Sequence, residues 1–204
     1  MDDLKATYDT IASDWDRDHK QDQWWKAEIE NYLALVPSGG SILDLGCGPG
    51  HKSAFFAARG YQVHGVDLSD KMIDIARRDV QNATFEVLDM YELPVLDRQF
   101  DSVFACASLL HIPKKDVTHI LLSIAAILKP GGTCYVSVKE MRPDRPEETV
   151  ATENDYGYEY SRFFSYFTRD ELRTYFKNAG MVVKYEAAIE TGNTNWLVTI
   201  GQRP

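Results

Sequence analysis

The sequence has little cysteine, and what it has is unpaired. Cys47, Cys106 and Cys134 are an odd number, lie far apart and include no CxxC pair, which argues against a disulfide framework or a structural zinc site. A reducing cytoplasm is the expected setting. Positive charge is also short: 22 Lys+Arg stand against 31 Asp+Glu, a net charge of -9. That balance disfavours sequence-independent binding to nucleic acid, which depends on cations that neutralise phosphates, and it disfavours a polybasic membrane contact. No apolar run approaches the ~18 residues of a membrane span. The opening Met1-Asp2-Asp3-Leu4-Lys5 has acids where a secretory signal has basic residues and an apolar stretch. There is no internal repeat and no low-complexity tract. What remains is a chain of 204 residues, 44% hydrophobic and 26% charged, the profile of one globular domain, with or without an appended lid.

The chain then alternates between two hydrophobic periods. The first twenty residues are polar with scattered aromatics, Tyr8 and Trp15 among them. A helix is predicted from about Asp22, because Trp25, Ile29, Leu33 and Val36 recur at helical spacing, and Pro37-Ser38-Gly39-Gly40 ends it. Strands are expected over Ser41–Leu45, Tyr61–Val66, Thr84–Leu88, Phe100–Ala105 and Thr133–Val138. Helices are expected between them: Lys52–Arg59 stopped by Gly60, one capped by Ser69, and one after Pro113 with Val117, Ile120, Leu121, Ile124 and Leu128 on one face. This rhythm predicts βαβ units and a parallel sheet with helices on both faces. Residues 139–166, with Pro143, Pro146, a run of charges and three tyrosines, read as a long insertion over the sheet. Thr168-Arg169-Asp170-Glu171 has the spacing of a capping box. Val182–Ile189 and Asn195–Ile200, joined through Thr191-Gly192-Asn193, read as a closing hairpin.

In such a sheet, ligands bind beyond the carboxyl ends of the strands. The turn Gly46-Cys47-Gly48-Pro49-Gly50 sits at the end of the first strand. Gly46 permits the sharp turn, and Gly48 lets a ligand approach bare backbone at the positive end of the next helix. Asp67 ends the second strand, where a carboxylate can accept both hydroxyls of a ribose. Asp89 ends the third and could receive an exocyclic amine. With Asp44 slightly inside the first strand, one acid per strand end suggests a nucleoside laid across the sheet edge.

These segments resemble class I S-adenosylmethionine-dependent methyltransferases of the small-molecule type. Ile42-Leu43-Asp44-Leu45-Gly46-Cys47-Gly48-Pro49-Gly50 is similar to the cofactor motif, Gly65-Val66-Asp67-Leu68-Ser69 to the ribose-binding strand end, and Leu88-Asp89-Met90 to the adenine-contacting segment. Leu109-Leu110-His111-Ile112-Pro113, Leu128-Lys129-Pro130-Gly131-Gly132 and the opening Tyr8-Asp9-x-Ile11-Ala12-x-x-Trp15-Asp16 fit as well. The resemblance implies an α/β, Rossmann-like, doubly wound seven-stranded sheet of order 3-2-1-4-5-7-6 with the last strand antiparallel. It implies one methyltransferase domain over residues 1–204, with residues 1–36 an N-terminal helical lid and residues 139–166 a lid over the acceptor. S-adenosyl-L-methionine would be the cofactor: Asp67 on its ribose, Leu68 and Met90 around the adenine, Asp89 on the amino group. Gly46, Cys47, Gly48 and Gly50, with Asp44 behind, would line the methionine part, and Ala105 and Cys106 would lie near the sulfonium.

A small-molecule acceptor is expected. The stretch Ala105-Cys106-Ala107-Ser108 lacks the Asn/Asp-Pro-Pro-aromatic run of amino-methylating members and the Pro-Cys of cytosine-C5 members, so Cys106 reads as a small buried residue. His111 is the candidate base, whereas His51, His64 and His119 read as structural or surface residues. Tyr8, Trp15, His111, Lys139, Tyr160 and Arg162 are the expected acceptor contacts, with Arg162 gripping a carboxylate or strongly polar group through its fork. Phe163 and Phe164 are expected to pack the insertion on the core. A dinucleotide oxidoreductase shares the sheet and the ribose acid, but its turn needs GxGxxG and here His51 stands where the third glycine belongs. A cofactor-binding sensor or scaffold without catalysis is the third reading.

Overall fold

A computed structural model describes residues 2–192 and 194–204; Asn193, expected in the closing turn, lies outside the described residues. In chain order the elements are α1 (Asp2–His19), α2 (Ile29–Leu33), β1 (Ser41–Leu45), α3 (His51–Ala57), β2 (Gln62–Asp67), α4 (Asp70–Asp79), β3 (Thr84–Val87), β4 (Phe100–Cys106), α5 (Lys114–Ile127), β5 (Leu128–Lys139), β6 (Glu148–Glu153), β7 (Tyr160–Ser165), α6 (Arg169–Asn178), β8 (Val182–Thr191) and β9 (Thr194–Gln202). Seven strands form one sheet in the order β3-β2-β1-β4-β5-β9-β8. β1 to β5 run parallel, and β9 is antiparallel to both β5 and β8. This is the expected order with the β6–β7 pair inserted before the last helix.

Both faces of the sheet are covered, which is what apolar parallel strands require. On one face Leu43, Val103, Val136 and Leu197 pack against Val117, Ile120, Leu121 and Ile124 of α5 and Leu172 and Phe176 of α6. On the other, Ile42, Phe104, Tyr135 and Ile200 meet Trp25, Ile29 and Tyr32, and Phe56 of α3. The hydroxyl of Tyr32 would be costly in that core without a partner; it donates to Ser102 Oγ at 2.7 Å, which in turn reaches Thr133 O at 3.0 Å. Ser69 caps α4, accepting from Met72 N at 3.1 Å, and Thr168 with Glu171 forms the capping box of α6. No helix among the described residues is long and apolar enough to cross a membrane.

α1 covers Asp2–His19, and its Ile11 and Ala12 are buried. Three expectations need correction. The helix predicted from Asp22 is instead a 3₁₀ turn over Trp24–Glu28 and the short α2; neither start has a side-chain cap, so Trp25, Ile29 and Tyr32 are placed by docking on the core. Residues 139–166 are not a bare loop, because β6 and β7 pair as an antiparallel hairpin. β5 begins at Leu128 and carries Lys129-Pro130-Gly131-Gly132 in its irregular first turns rather than being preceded by them.

α1 packs on α4 and β7 rather than on the sheet. Asp9 accepts from Ser69 Oγ at 2.7 Å and from Lys71 N at 3.2 Å, and Lys5 pairs with Asp9 at 2.7 Å and with Asp70. Toward β7, Thr7 Oγ1 donates to Ser161 O at 2.9 Å.

β9 packs closely on α6 at Gly201. A Cβ on Gly201 would fall 2.3 Å from Phe176 Cδ1. Gly201→Ala should therefore destabilise the protein by about 1–3 kcal/mol, read from urea unfolding. Phe176→Leu in the Gly201→Ala background should recover part of that loss.

Candidate functional site

A cavity of about 380 Å³ opens at the carboxyl ends of β1, β2, β4 and β5, beneath α1 and β7. Its floor starts at the glycine turn. Gly46, Gly48 and Gly50 all have left-handed backbone, with φ of 72°, 52° and 84°. The N–H groups of Gly46 and Cys47 both donate to Val66 O, at 2.8 and 3.0 Å. A Cβ on Gly46 would sit 2.4 Å from Ser108 Cβ, whereas one on Gly48 would meet nothing within 4 Å. Gly46 is thus required by packing. Gly48 is required by its φ and leaves bare backbone facing the cavity.

Asp67 ties this turn to the end of β2. One carboxylate oxygen accepts from Gly48 N at 2.8 Å and the other from Ser69 N at 2.9 Å. Each oxygen keeps a further lone-pair direction, and Asp67 lines the cavity. Burial holds its carboxyl above the ordinary range, against those two bonds. Leu68, Leu88 and Met90 add apolar wall beside it, and Asp89 caps the turn Met90–Leu96 by accepting from Tyr91 N at 3.0 Å.

Three of the expected cofactor residues stay off the cavity wall. Asp44 lies beneath the turn, 1% exposed, and accepts from Ser53 Oγ at 2.7 Å; burial pushes its carboxyl up to about 6. Gly50 starts α3 and packs on Ala76, Val80 and Phe85. Ala105 is fully buried in the core. Cys47 and Cys106 do reach the cavity, but burial raises both thiols, and Cys106 Sγ only accepts from Ser137 Oγ at 3.3 Å. Neither is an activated nucleophile.

The far end is built from α1, β5, β7 and the segment after β4. His111 donates from Nδ1 to Phe163 O at 2.7 Å, and its Nε2 accepts a hydrogen bond from the Tyr8 hydroxyl at 2.7 Å. Burial pushes the imidazole down to about 3, so it is neutral with both nitrogens engaged. The expected base therefore faces the cavity through Tyr8. Arg162 Nη1 reaches the Tyr8 oxygen at 3.3 Å, and the rest of its fork is closed on Glu153, Nε at 2.6 Å and Nη2 at 2.7 Å. The two parallel bonds expected for a ligand's carboxylate are already made within the hairpin. Trp15 stands edge-on to Tyr8 and stacks on His19 at 3.6 Å. Tyr160 donates to Asp155 at 3.0 Å and stacks on Tyr156. Lys139 lies 3.9 Å from the centre of the Phe164 ring, which lines the cavity as well as packing the hairpin.

Several cavity residues were not expected. Trp196 of β9 stacks on Trp24 at 4.2 Å, a pairing that joins distant parts of the chain and leaves no local signal. Ala107 takes a left-handed φ of 57°, held by bonds from its N–H to Ser137 O at 3.0 Å and Ser137 Oγ at 3.1 Å. Such strain in a non-glycine residue persists only where the surroundings enforce it. His51, read as structural, meets Asp16 of α1 at 2.6 Å on the cavity rim. Among the described residues no group of three His, Cys, Asp or Glu could hold a metal.

Residues 42–132 match the family model described as a methyltransferase domain, and they carry this turn, the Asp67 strand end and Asp89. They are a methyltransferase domain. The chain is 35% identical, over 138 residues, to YqeM of Bacillus subtilis (strain 168), which carries a methyltransferase name; the match covers 65% of this chain and 53% of that protein. It is 32% identical over 143 residues to a demethylmenaquinone methyltransferase of Clavibacter sepedonicus, covering 65% and 56%. The chain thus spans about half the length of the curated relatives it matches. A 1,6-didemethyltoxoflavin-N1-methyltransferase of Burkholderia thailandensis, solved with 1,6-didemethyltoxoflavin and S-adenosylhomocysteine bound, superposes with a TM-score of 0.77 at 20% identity, covering 98% of this chain and 87% of that one. That likeness establishes the shared fold.

Two outcomes follow for the residues around this cavity. Asp44 takes up its proton near pH 6 in the fold but near 3.8 when unfolded, so its buried charge costs stability fully above pH 6 and ceases to do so as pH falls toward 4. Asp44→Asn should raise the melting temperature at pH 7.5, by about 1–3 kcal/mol of stability, and the gain should vanish in scans at pH 4. Arg162→Ala should lower stability by about 1–3 kcal/mol by leaving Glu153 unpaired. Arg162→Lys should restore only part of this, because one ammonium cannot make both bonds.

Proposed function

We propose that the protein transfers a methyl group from S-adenosyl-L-methionine to a small-molecule acceptor. The observation that carries this reading is the open Gly48 backbone beside the Asp67 carboxylate, with the apolar Leu68 and Met90 and then Asp89 following along the sheet edge. This row fits a nucleoside: two acceptor oxygens for a ribose, an apolar slot for a base, an acid for its amino group. The cofactor's own chemistry is an electrophilic methyl on a sulfonium. The chain contributes binding, alignment and exclusion of water.

α1 and the β6–β7 hairpin are proposed as the lid. Tyr8, Trp15, Tyr160 and Phe164 close the space above the strand ends, and Tyr158 joins the two parts by donating to Asp14 at 2.8 Å. Within this lid His111 is a positioning residue: it holds the Tyr8 hydroxyl so that the phenol oxygen faces Arg162 and the cavity. A neutral imidazole of such low basicity does not store a proton near neutral pH, so the reaction is assigned to alignment rather than to His111 as a free base. The rival dinucleotide reading loses ground on His51, whose ring fills the place of the third glycine and is bonded to Asp16. The acidic net charge favours a small molecule over nucleic acid as acceptor, and three free, buried cysteines suit a reducing cytoplasm.

Calorimetry should show binding of S-adenosylmethionine and S-adenosylhomocysteine and none of NAD or NADP. Asp67→Ala should weaken S-adenosylhomocysteine about thirty- to a thousandfold, or roughly 2–4 kcal/mol, with circular dichroism unchanged. Tight NAD binding with no response to the sulfur compounds would overturn the reading.

A further inference from the structure

Two lysines line the cavity without an ion pair or hydrogen bond among the described residues. Lys52 stands in the first turns of α3, at the end assigned to the cofactor's amino-acid part. Lys139 stands at the end of β5, on the opposite side of the β4 segment, where the acceptor would sit. No carboxylate pairs with it among the described residues, and the one that acts on it is Glu153. Phe164 lies beneath the ammonium at 3.9 Å, and the neighbouring guanidinium of Arg162 repels it. Glu153 is already held by the Arg162 fork, and Asp155 of the cavity wall accepts from Tyr160. A half-buried cation left in this position is costly. Aromatic rings are prominent in the walls of this end, with Trp196 stacked on Trp24 and Tyr156 on Tyr160, and these faces suit a flat apolar body.

We propose that the acceptor is a planar aromatic compound bearing an ionised acid group, and that this group pairs with Lys139. The assignment rests on the methyltransferase reading, since it takes the Lys139 end as the acceptor's. It moves the anion-binding role from Arg162, where the spacing of the insertion placed it, to the cavity cation that has no internal partner. It also carries a pH signature. Burial and then Arg162 push the Lys139 ammonium down to about 8, while Glu153 partly offsets them and Arg145 adds to the repulsion; His111, also close, is neutral throughout this range. The cation is complete below pH 8 and is lost above it, so affinity for the acid should fall as pH rises through 8.

The probes are 1-naphthoate and its neutral isostere 1-naphthamide. In calorimetry at pH 7 on protein saturated with S-adenosylhomocysteine, naphthoate should bind at least tenfold more tightly than naphthamide. Lys139→Met should abolish the difference without changing S-adenosylhomocysteine affinity, and Lys139→Arg should keep it. On the unmutated chain with no cofactor, trinitrobenzenesulfonate labelling of Lys139, read by peptide mass spectrometry, should show a midpoint near pH 8 and protection by naphthoate but not by naphthamide. Equal affinity of the two probes, a preference that survives Lys139→Met, or labelling that naphthoate leaves unaltered would each overturn the assignment. If S-adenosylhomocysteine itself failed to bind, the methyltransferase reading would fall, and the labelling experiment would still decide whether Lys139 is an anion site.

Discussion

The Asp67 carboxylate holds the site together from inside the protein. By accepting one N–H from the glycine turn and one from the loop that leads into α4, it joins the exits of two neighbouring strands. Without such an acceptor, Gly48 N would point into the cavity with nothing to fix the left-handed turn around it. The turn in turn packs on Ser108 through Gly46, and Ser108 Oγ donates back to Leu45 O at 2.7 Å. One acid thus sets the relative positions of the ends of β1, β2 and β4. The low-dielectric surroundings that raise its carboxyl also strengthen any hydrogen bond it makes to a ligand.

The opposite half of the cavity follows another principle. Its polar groups neutralise one another in a series that runs from Phe163 O through His111 and Tyr8 to Arg162 and Glu153. Burying this series is tolerable because each donor meets an acceptor. Its members are therefore restrained and leave little free charge, while Lys139 stands outside the series. A satisfied network and a cation without an ion pair thus stand side by side in this region.

The sheet and the glycine-turn end of the cavity were legible in the sequence because their signals are local. Apolar strand runs, the Gly46–Gly50 turn and acids at strand ends each occupy a few consecutive residues, and parallel pairing follows from the helices between them. A helical segment was expected within residues 1–36, but the bounds of α1 were not legible because its buried stripe is thin: Ile11 and Ala12 sit among polar residues and the cavity-lining Tyr8 and Trp15. The β6–β7 hairpin was hidden by prolines and charges, although the alternation of Thr149 and Ala151 with their neighbours carries a period of two. Arg162 was identified as a cavity residue, yet its partnership with Glu153 depends on hairpin register, which residue type alone does not specify. The burial of Ala105 and Gly50 likewise depends on which way each backbone turns after the strand.

The docking of α1 on the loop after β2 has a thermodynamic consequence. Asp9 accepts from Ser69 Oγ and Lys71 N, while Ser69 N is bound by Asp67. A single three-residue segment therefore serves the helix from one side and the cavity from the other. Free energy shared through such a segment is reciprocal: whatever a ligand at Asp67 gains from a well-ordered Ser69, the attachment of α1 gains from that ligand. The roof of the cavity and its floor are then two readings of one equilibrium, and a change in either is felt as affinity in the other.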